Sequence, residues 1–249
     1  MIRIRIVVVL IILLCINSSL SFAESDEVKG LVRGLWSFRH KSRMEALERL
    51  EALKDYRSVD GLIDLVLLES DDWRIKIRAL RLLGDIGDRR AIVPIVRVFK
   101  DPDINKDCPA IMWNALAALR EFGGDSYIAD SISDYLKTDN LMIKEAVIET
   151  IGTTGGPDKV YLLSDTIWDD SFAVRLSAVK AIAKMGGYEA EEMLLDAASS
   201  DPDPNIRQTA ETALQEIDDL RRKTIIKKEE AEDDADDNEE GTVLIGGEN

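Results

Sequence analysis

The sequence predicts an all-α fold, a right-handed α-solenoid of about six helix pairs. Two observations support this prediction. One helical pattern, clearest in residues 171–187, recurs six times, with its reference position at Ala46, Ala79, Ala115, Val147, Ala178 and Ala210. The spacings are 33, 36, 32, 31 and 32 residues, enough for two short helices and two turns. A repeat of this length is typical of a solenoid.

The first 23 residues have the three parts of a secretory signal peptide. A basic start is followed by an apolar run at residues 6–16 and by small residues at Ser21 and Ala23. Since a membrane-spanning helix needs about 20 apolar residues, a retained anchor is the poorer alternative. We expect cleavage after Ala23, a periplasmic or secreted protein, and no stable membrane insertion afterwards.

The repeat array is predicted over residues 24–222, with each unit an outer and an inner helix. Outer helices are expected at residues 90–100 and 159–168, for example. The inner helices follow residues at the N-cap position, and glycines stand where the chain leaves each helix and needs a positive φ. The N-cap column is Asp72, Cys108, Asn140, Ser171 and Asp203, and the glycines are Gly87, Gly123, Gly155 and Gly186.

Apolar residues recur within each inner helix at positions −4, 0, +4 and +7 from the reference position. In the clearest unit these are Val174, Ala178, Ile182 and Met185. At 100° per residue they form one stripe, which we predict to face the core. Residues 223–249 lack such a stripe and carry ten acidic residues in the last 21, so we expect a disordered acidic tail.

The acidic balance limits the classes of partner. The chain has 48 acidic against 32 basic residues and a net charge of −16. Such a surface repels phosphate backbones, so no nucleic-acid partner is expected. A basic column recurs at Arg43, Lys76, Lys144, Arg175 and Arg207. It could bind an acidic ligand, but paired acidic residues at Asp71, Asp107, Asp139 and Asp170 favour a structural role.

An apolar column occupies the most solvent-facing position of the inner helices. Four of its six residues are apolar, Met44, Ile77, Trp113 and Leu176; the other two are Glu145 and Gln208, and Trp73 lies one turn before Ile77. On the concave surface of a solenoid the five apolar residues would form a protein-binding strip. The alternative is that neighbouring inner helices cover them as ordinary core.

No catalytic, cofactor-binding or metal-binding residue is predicted. His40 is the only histidine, too few for a histidine metal cluster and without a marked nucleophile to serve. Residues 100–109 form an insertion, which is either a binding loop or a tolerated insertion. Cys108 within it could be reactive at a helix N-terminus, although no basic neighbour other than Lys106 is evident.

The inner helices resemble HEAT-like repeats, in particular the short variety of bacterial chromophore lyases. Residues 173–182, AVRLSAVKAI, carry the resemblance best, and residues 205–210, NIRQTA, echo it. The resemblance implies an armadillo-like superhelix and a non-catalytic scaffold that binds another protein, one with a basic surface given the acidic rims. The alternative it implies is an accessory subunit or enzyme of the HEAT-like lyase type, acting on a protein-bound ligand.

Overall fold

The structure is a computed structural model that describes residues 26–68, 72–106 and 108–240, with side chains to residue 224. The predicted signal peptide, residues 1–23, lies outside the described residues. Those residues contain helices and turns but no strand, so the all-α class is confirmed. The helices are α1 (residues 26–34), α2 (His40–Leu53), α3 (Val59–Leu67), α4 (Trp73–Ile86), α5 (Ile92–Lys100), α6 (Pro102–Asn105), α7 (Ala110–Arg120), α8 (Ser126–Ile132), α9 (Leu141–Thr154), α10 (Phe172–Met185), α11 (Tyr188–Ser200) and α12 (Pro204–Glu240).

Short 3₁₀ segments complete several outer elements. They are Tyr56–Ser58, Arg89–Ala91, Ser133–Lys137, Pro157–Leu163 and Thr166–Trp168. The last two stand where the sequence predicts an outer helix over residues 159–168. A turn at Ser164 and Asp165 separates them, so this repeat has 3₁₀ turns in place of an α-helix.

The chain divides into two compact units between Gly155 and Gly156. In the first unit, the inner helices α2, α4, α7 and α9 each pack on the next, and the outer helices α3, α5 and α8 pack against them. In the second unit, α10 packs on α12 as the inner layer, with the 3₁₀ segments and α11 as the outer layer. Each unit therefore repeats the predicted helix pair.

Small residues allow the inner helices to approach closely. All six residues at the reference position have 5% or less of their surface exposed. Between α4 and α7 the approach is closer still, since a methyl group at Gly84 would lie 3.0 Å from the Cα of Ala118. The predicted core stripe of α10 is also buried.

The structure confirms most of the predicted N-cap residues and positive-φ glycines and corrects the prediction at four positions. Asp72, Asn140 and Asp203 each accept a hydrogen bond from a backbone N–H of their helix, whereas the Ser171 side chain does not. Helix α7 begins after Pro109, so Cys108 is not its cap. Gly87 and Gly186 have positive φ as predicted, but Gly124 and Gly156 take this role instead of Gly123 and Gly155. At these glycine pairs the turn begins one residue later.

Helix α12 continues to Glu240, whereas the sequence predicts disorder from Lys223. Residues 223–240 contain five Glu, three Lys and two Ala, which are good helix formers and outnumber the four Asp and one Asn, which are not. Residues 241–249, the rest of the predicted acidic tail, lie outside the described residues.

Candidate protein-binding surface of the inner helices

The five residues of the predicted apolar strip differ in exposure. Ile77 is 8% exposed, Trp73 is 37% exposed, and Met44, Trp113 and Leu176 are half-buried. The guanidinium of Arg74 stacks 4.3 Å from the Trp73 ring centroid. Met44, Ile77 and Trp113 lie on the successive helices α2, α4 and α7, and Leu176 lies in the second unit. Ile77 is therefore buried, and the other four side chains are partly exposed.

Arginine side chains link successive inner helices of the first unit. Each donates a hydrogen bond across one helix boundary, and the pairs are Arg78 Nε to Glu51 Oε1 (2.8 Å), Arg81 Nε to Asn114 Oδ1 (2.8 Å) and Arg120 Nη1 to Glu149 Oε2 (2.6 Å). We call these three pairs the arginine ladder. Its six members fall in three columns of the repeat, at −1 (Arg78 and Asn114), +2 (Arg81 and Glu149) and +5 (Glu51 and Arg120) from the reference position. Each column mixes residue types, so no single column shows the pairing.

Arg78, at one end of the arginine ladder, contacts Met44 of the predicted strip. Hydrogen bonding to the Glu51 carboxylate raises the pKa of Arg78 above its ordinary value. The same guanidinium lies with Nη1 3.9 Å from the Met44 sulfur. Met44 is therefore packed beside a charged pair, which explains why it is only partly exposed.

A groove of about 340 Å³ opens beside the ladder on α2, α4 and α7. Its apolar lining residues are Leu82, Ala117 and Ala118, of which Leu82 and Ala118 are buried and Ala117 is half-buried, and its charged groups are Glu51, Asp85, Glu121 and Arg81. We call it the inner-helix groove. The residues that line it thus carry three carboxylates and one guanidinium.

The carboxylates of the inner-helix groove differ in their ion-pair partners. Glu51 is bonded to Arg78, and Asp85 lies 2.7 Å from the Lys54 ammonium. Glu121 is exposed and forms no ion pair within the described part of the chain. A basic side chain entering the groove would find apolar surface for its stem and an available carboxylate for its head.

Four members of the basic column form hydrogen bonds within the protein, which agrees with the predicted structural role; two of the acids expected beside the column, Asp71 and Asp107, lie outside the described residues. Arg43 Nε donates to the Leu35 carbonyl (2.7 Å), Lys76 donates to the Leu68 carbonyl, and Arg207 donates to the Asp201 carbonyl (2.6 Å). These carbonyls lie where the preceding outer element ends, at the negative end of its dipole. Each basic residue thus ties an inner helix to its outer partner.

Arg175 makes the most complete set of these bonds. Its Nη1 donates to the carbonyls of Asp169 (2.9 Å) and Asp170 (3.2 Å), and its Nε donates to Asp201 Oδ2 (2.8 Å). Arg175 is 9% exposed and Asp201 2% exposed. The pair is therefore a buried ion pair inside the second unit.

The insertion at residues 100–109 is ordered where it is described. It contains α6, which Asp101 caps through the backbone N–H groups of Asp103 and Ile104. The buried Asn105 amide donates to the carbonyls of Val98, Phe99 and Asp101. These hydrogen bonds hold the insertion against α5 and favour the interpretation that it is a tolerated insertion.

The two residues with reactive side chains lie in ordinary surroundings. Cys108 is a half-buried free thiol. His40 begins α2, and its Nδ1 lies 3.2 Å from Asp72 Oδ2. Among the described residues no group of His, Cys, Asp and Glu side chains is arranged to hold a metal ion. None of the described helices combines the length and the apolar character that crossing a bilayer requires.

Comparisons with known proteins agree with this repeat architecture. Residues 169–240 match the family model of HEAT repeats. The chain is similar to a structure of the CpcE–CpcF complex of phycocyanin lyase from Nostoc sp. PCC7120, with 21% identity, a TM-score of 0.50 and 74% of each chain covered. It is also similar to a designed armadillo repeat protein in complex with the peptide (KR)4, with 16% identity, a TM-score of 0.50 and 75% and 97% of the two chains covered.

No curated protein matches the chain. At these identities the two solved structures show the fold alone, which is the stacked helix pair of the HEAT and armadillo class. The HEAT-repeat match itself covers residues 169–240.

Proposed function

We propose that the chain is a non-catalytic scaffold that binds a protein partner through its inner helices, with the inner-helix groove receiving a basic side chain of an extended segment. The observation that supports this most is the lining of that groove. The half-buried Ala117 supplies accessible apolar surface over the buried Leu82 and Ala118, and the exposed Glu121 carboxylate also lines the groove. This combination suits the long apolar stem and charged head of lysine or arginine.

The fold also supports a binding role. Repeat arrays present long surfaces in which affinity is spread over several units. The designed armadillo protein, which shares the fold, is in complex with the basic peptide (KR)4. The half-buried Met44 and Trp113 add apolar anchor points on α2 and α7, while the acidic residues select the charge of the partner.

We place this scaffold outside the cytoplasm. The proposal rests on the signal-like pattern of residues 1–23. Fractionation of cells that produce the full chain, with mass measurement of the mature N-terminus, tests it. A mature chain that begins at Glu24 in the periplasm or medium supports export, and an uncleaved cytoplasmic chain contradicts it.

The binding proposal is tested with labelled (KR)4 as the probe, by fluorescence anisotropy at low salt. Neutralising the groove with Asp85→Asn and Glu121→Gln should weaken binding by about tenfold, as loss of two favourable charges at about 0.5–1 kcal/mol each implies. The matched control is Asp64→Asn with Asp103→Asn, two exposed acids elsewhere in the same unit. Equal weakening by both pairs would mean that the peptide responds only to net charge.

A second candidate is an accessory subunit of the lyase type, supported by the fold shared with the phycocyanin lyase complex. Such a protein would hold a pigment during its transfer. The absorbance spectrum of the protein purified from its native source tests this candidate. A visible band that survives gel filtration supports it, and a spectrum with aromatic absorption alone favours the scaffold.

A further inference from the structure

The second unit has a groove of its own, about 560 Å³ in volume, between α10 and α12. We call it the α10–α12 groove. Its apolar surface includes Ala183 on α10 and Ala213, Ile217 and Leu220 on α12. Leu220 is 64% exposed, although it continues the stripe of Ala213 and Ile217 at helical spacing.

The charge of this groove is opposite to that of the protein as a whole. Lys180 and Lys184 lie along the α10 wall, both exposed, and Glu216 lies on the α12 wall. The two lysines are four residues apart and therefore neighbours on one helix face. In a chain with a net charge of −16, this is a local site for an acidic helix.

We propose that the α10–α12 groove binds the acidic end of α12 from a second copy of this chain. Residues 229–240 carry nine acidic residues, interrupted by Ala231, Ala235 and Asn238. A segment of this composition has the charge that Lys180 and Lys184 attract.

The same segment cannot reach its own groove. Helix α12 lines the groove as far as Leu220 and continues to Glu240, and 20 residues of α-helix span about 30 Å. Residues 229–240 therefore extend away from the groove that their own chain forms. A second copy has no such constraint, and a reciprocal exchange of the two ends would give a closed two-fold dimer.

The first test is the mass of the purified full chain by light scattering over a series of concentrations. A dimer should form at low salt and dissociate in 1 M salt, where the Debye length falls to about 3 Å. The charge reversals Lys180→Glu and Lys184→Glu should leave a monomer. Their matched control is Lys106→Glu with Lys137→Glu, two exposed lysines of the first unit, which should still dimerise. A wild-type monomer at every concentration, or a dimer in both double variants, would overturn the proposal.

The second test uses a labelled peptide with the sequence of residues 229–249, titrated with each protein at low salt. The peptide should bind the wild-type chain and the control, and bind the Lys180→Glu, Lys184→Glu variant at least about tenfold more weakly. A peptide with its acids replaced by the corresponding amides should not bind. Equal binding to both double variants would contradict the assignment of the groove. This test is independent of the (KR)4 experiment, because the two probes have opposite charge and different sites.

Discussion

Replacing Arg175 by methionine should strongly destabilise the second unit. Methionine keeps much of the apolar stem but removes the donors to Asp201, Asp169 and Asp170. The Asp201 carboxylate, 2% exposed, would then lose its cationic partner. It would keep only the hydrogen bond from the Asp203 backbone N–H (2.8 Å).

The expected cost follows from this burial. Breaking a buried ion pair by removing one partner costs about 3–5 kcal/mol, a large part of the roughly 5–15 kcal/mol that stabilises a typical domain. With an m-value of about 2 kcal/mol per M, a loss of about 3 kcal/mol lowers the urea midpoint by about 1.5 M. The exposed Arg81, bonded to Asn114, should cost less than about 1 kcal/mol when replaced by methionine.

The assay is urea unfolding followed by circular dichroism, and by tryptophan fluorescence to detect separate transitions of the two units. Asp201→Asn added to Arg175→Met should recover part of the loss, because the amide oxygen can still accept from the Asp203 N–H while the unpaired charge is removed. The double-mutant cycle should give a coupling energy of at least about 2 kcal/mol. A cost below about 1 kcal/mol for Arg175→Met, or additive effects of the two substitutions, would refute a structural role for the basic column.

Two further predictions concern stability. Pairing with Arg57 lowers the pKa of Asp55. The pair therefore stabilises the fold above the ordinary aspartate pKa of about 3.9, and this stabilisation is lost as the pH falls through the lowered pKa. The cost of Asp55→Asn in urea unfolding should be clear at pH 7 and shrink below about pH 4. Gly84→Ala should destabilise by about 1–3 kcal/mol, because its methyl group would lie 3.0 Å from the Ala118 Cα. Gly30→Ala, also helical but with open space around it, should stabilise by about 0.5–1 kcal/mol; the same sign of effect at both glycines would contradict the close helix approach.

The repeat architecture could be predicted because periodic features determine it. Ala178 and its equivalents recur at every reference position, and each is buried where inner helices meet. Caps such as Asp72 and Asn140 recur with them. Because the pattern occurs six times, a local exception does not obscure it. The fold class could therefore be predicted although two turns begin one residue later than expected.

The partners of the basic column could not be predicted in the same way. Aligned charges of opposite sign suggested side-chain pairs, but Arg43 and Arg207 bond to backbone carbonyls. Every residue carries a carbonyl, so sequence patterns do not mark those that lie unpaired at a helix end. The acidic side chain that does pair with Arg175 is Asp201, 26 residues away in the next repeat.

The exposure of the predicted apolar strip was equally difficult to judge from one helix. An angle around a helix axis shows which residues oppose the core stripe, but not how closely the next helix packs. Ile77 opposes the stripe and is nonetheless 8% exposed. The acids of the inner-helix groove, Glu51, Asp85 and Glu121, lie five, six and six residues after the reference position of three successive repeats. Their near-alignment is visible in the sequence, but that they line one groove follows only from the packing of α2, α4 and α7.

The most direct measurement of the central claim is site-specific photo-crosslinking in intact cells. A photoreactive residue in place of Arg81, at the inner-helix groove, is compared with one in place of Val93, which is 59% exposed on the outer helix α5. Binding through the inner helices predicts a distinct protein adduct from position 81 that is absent from position 93. The same adducts from both positions, or an adduct from position 93 alone, would contradict it.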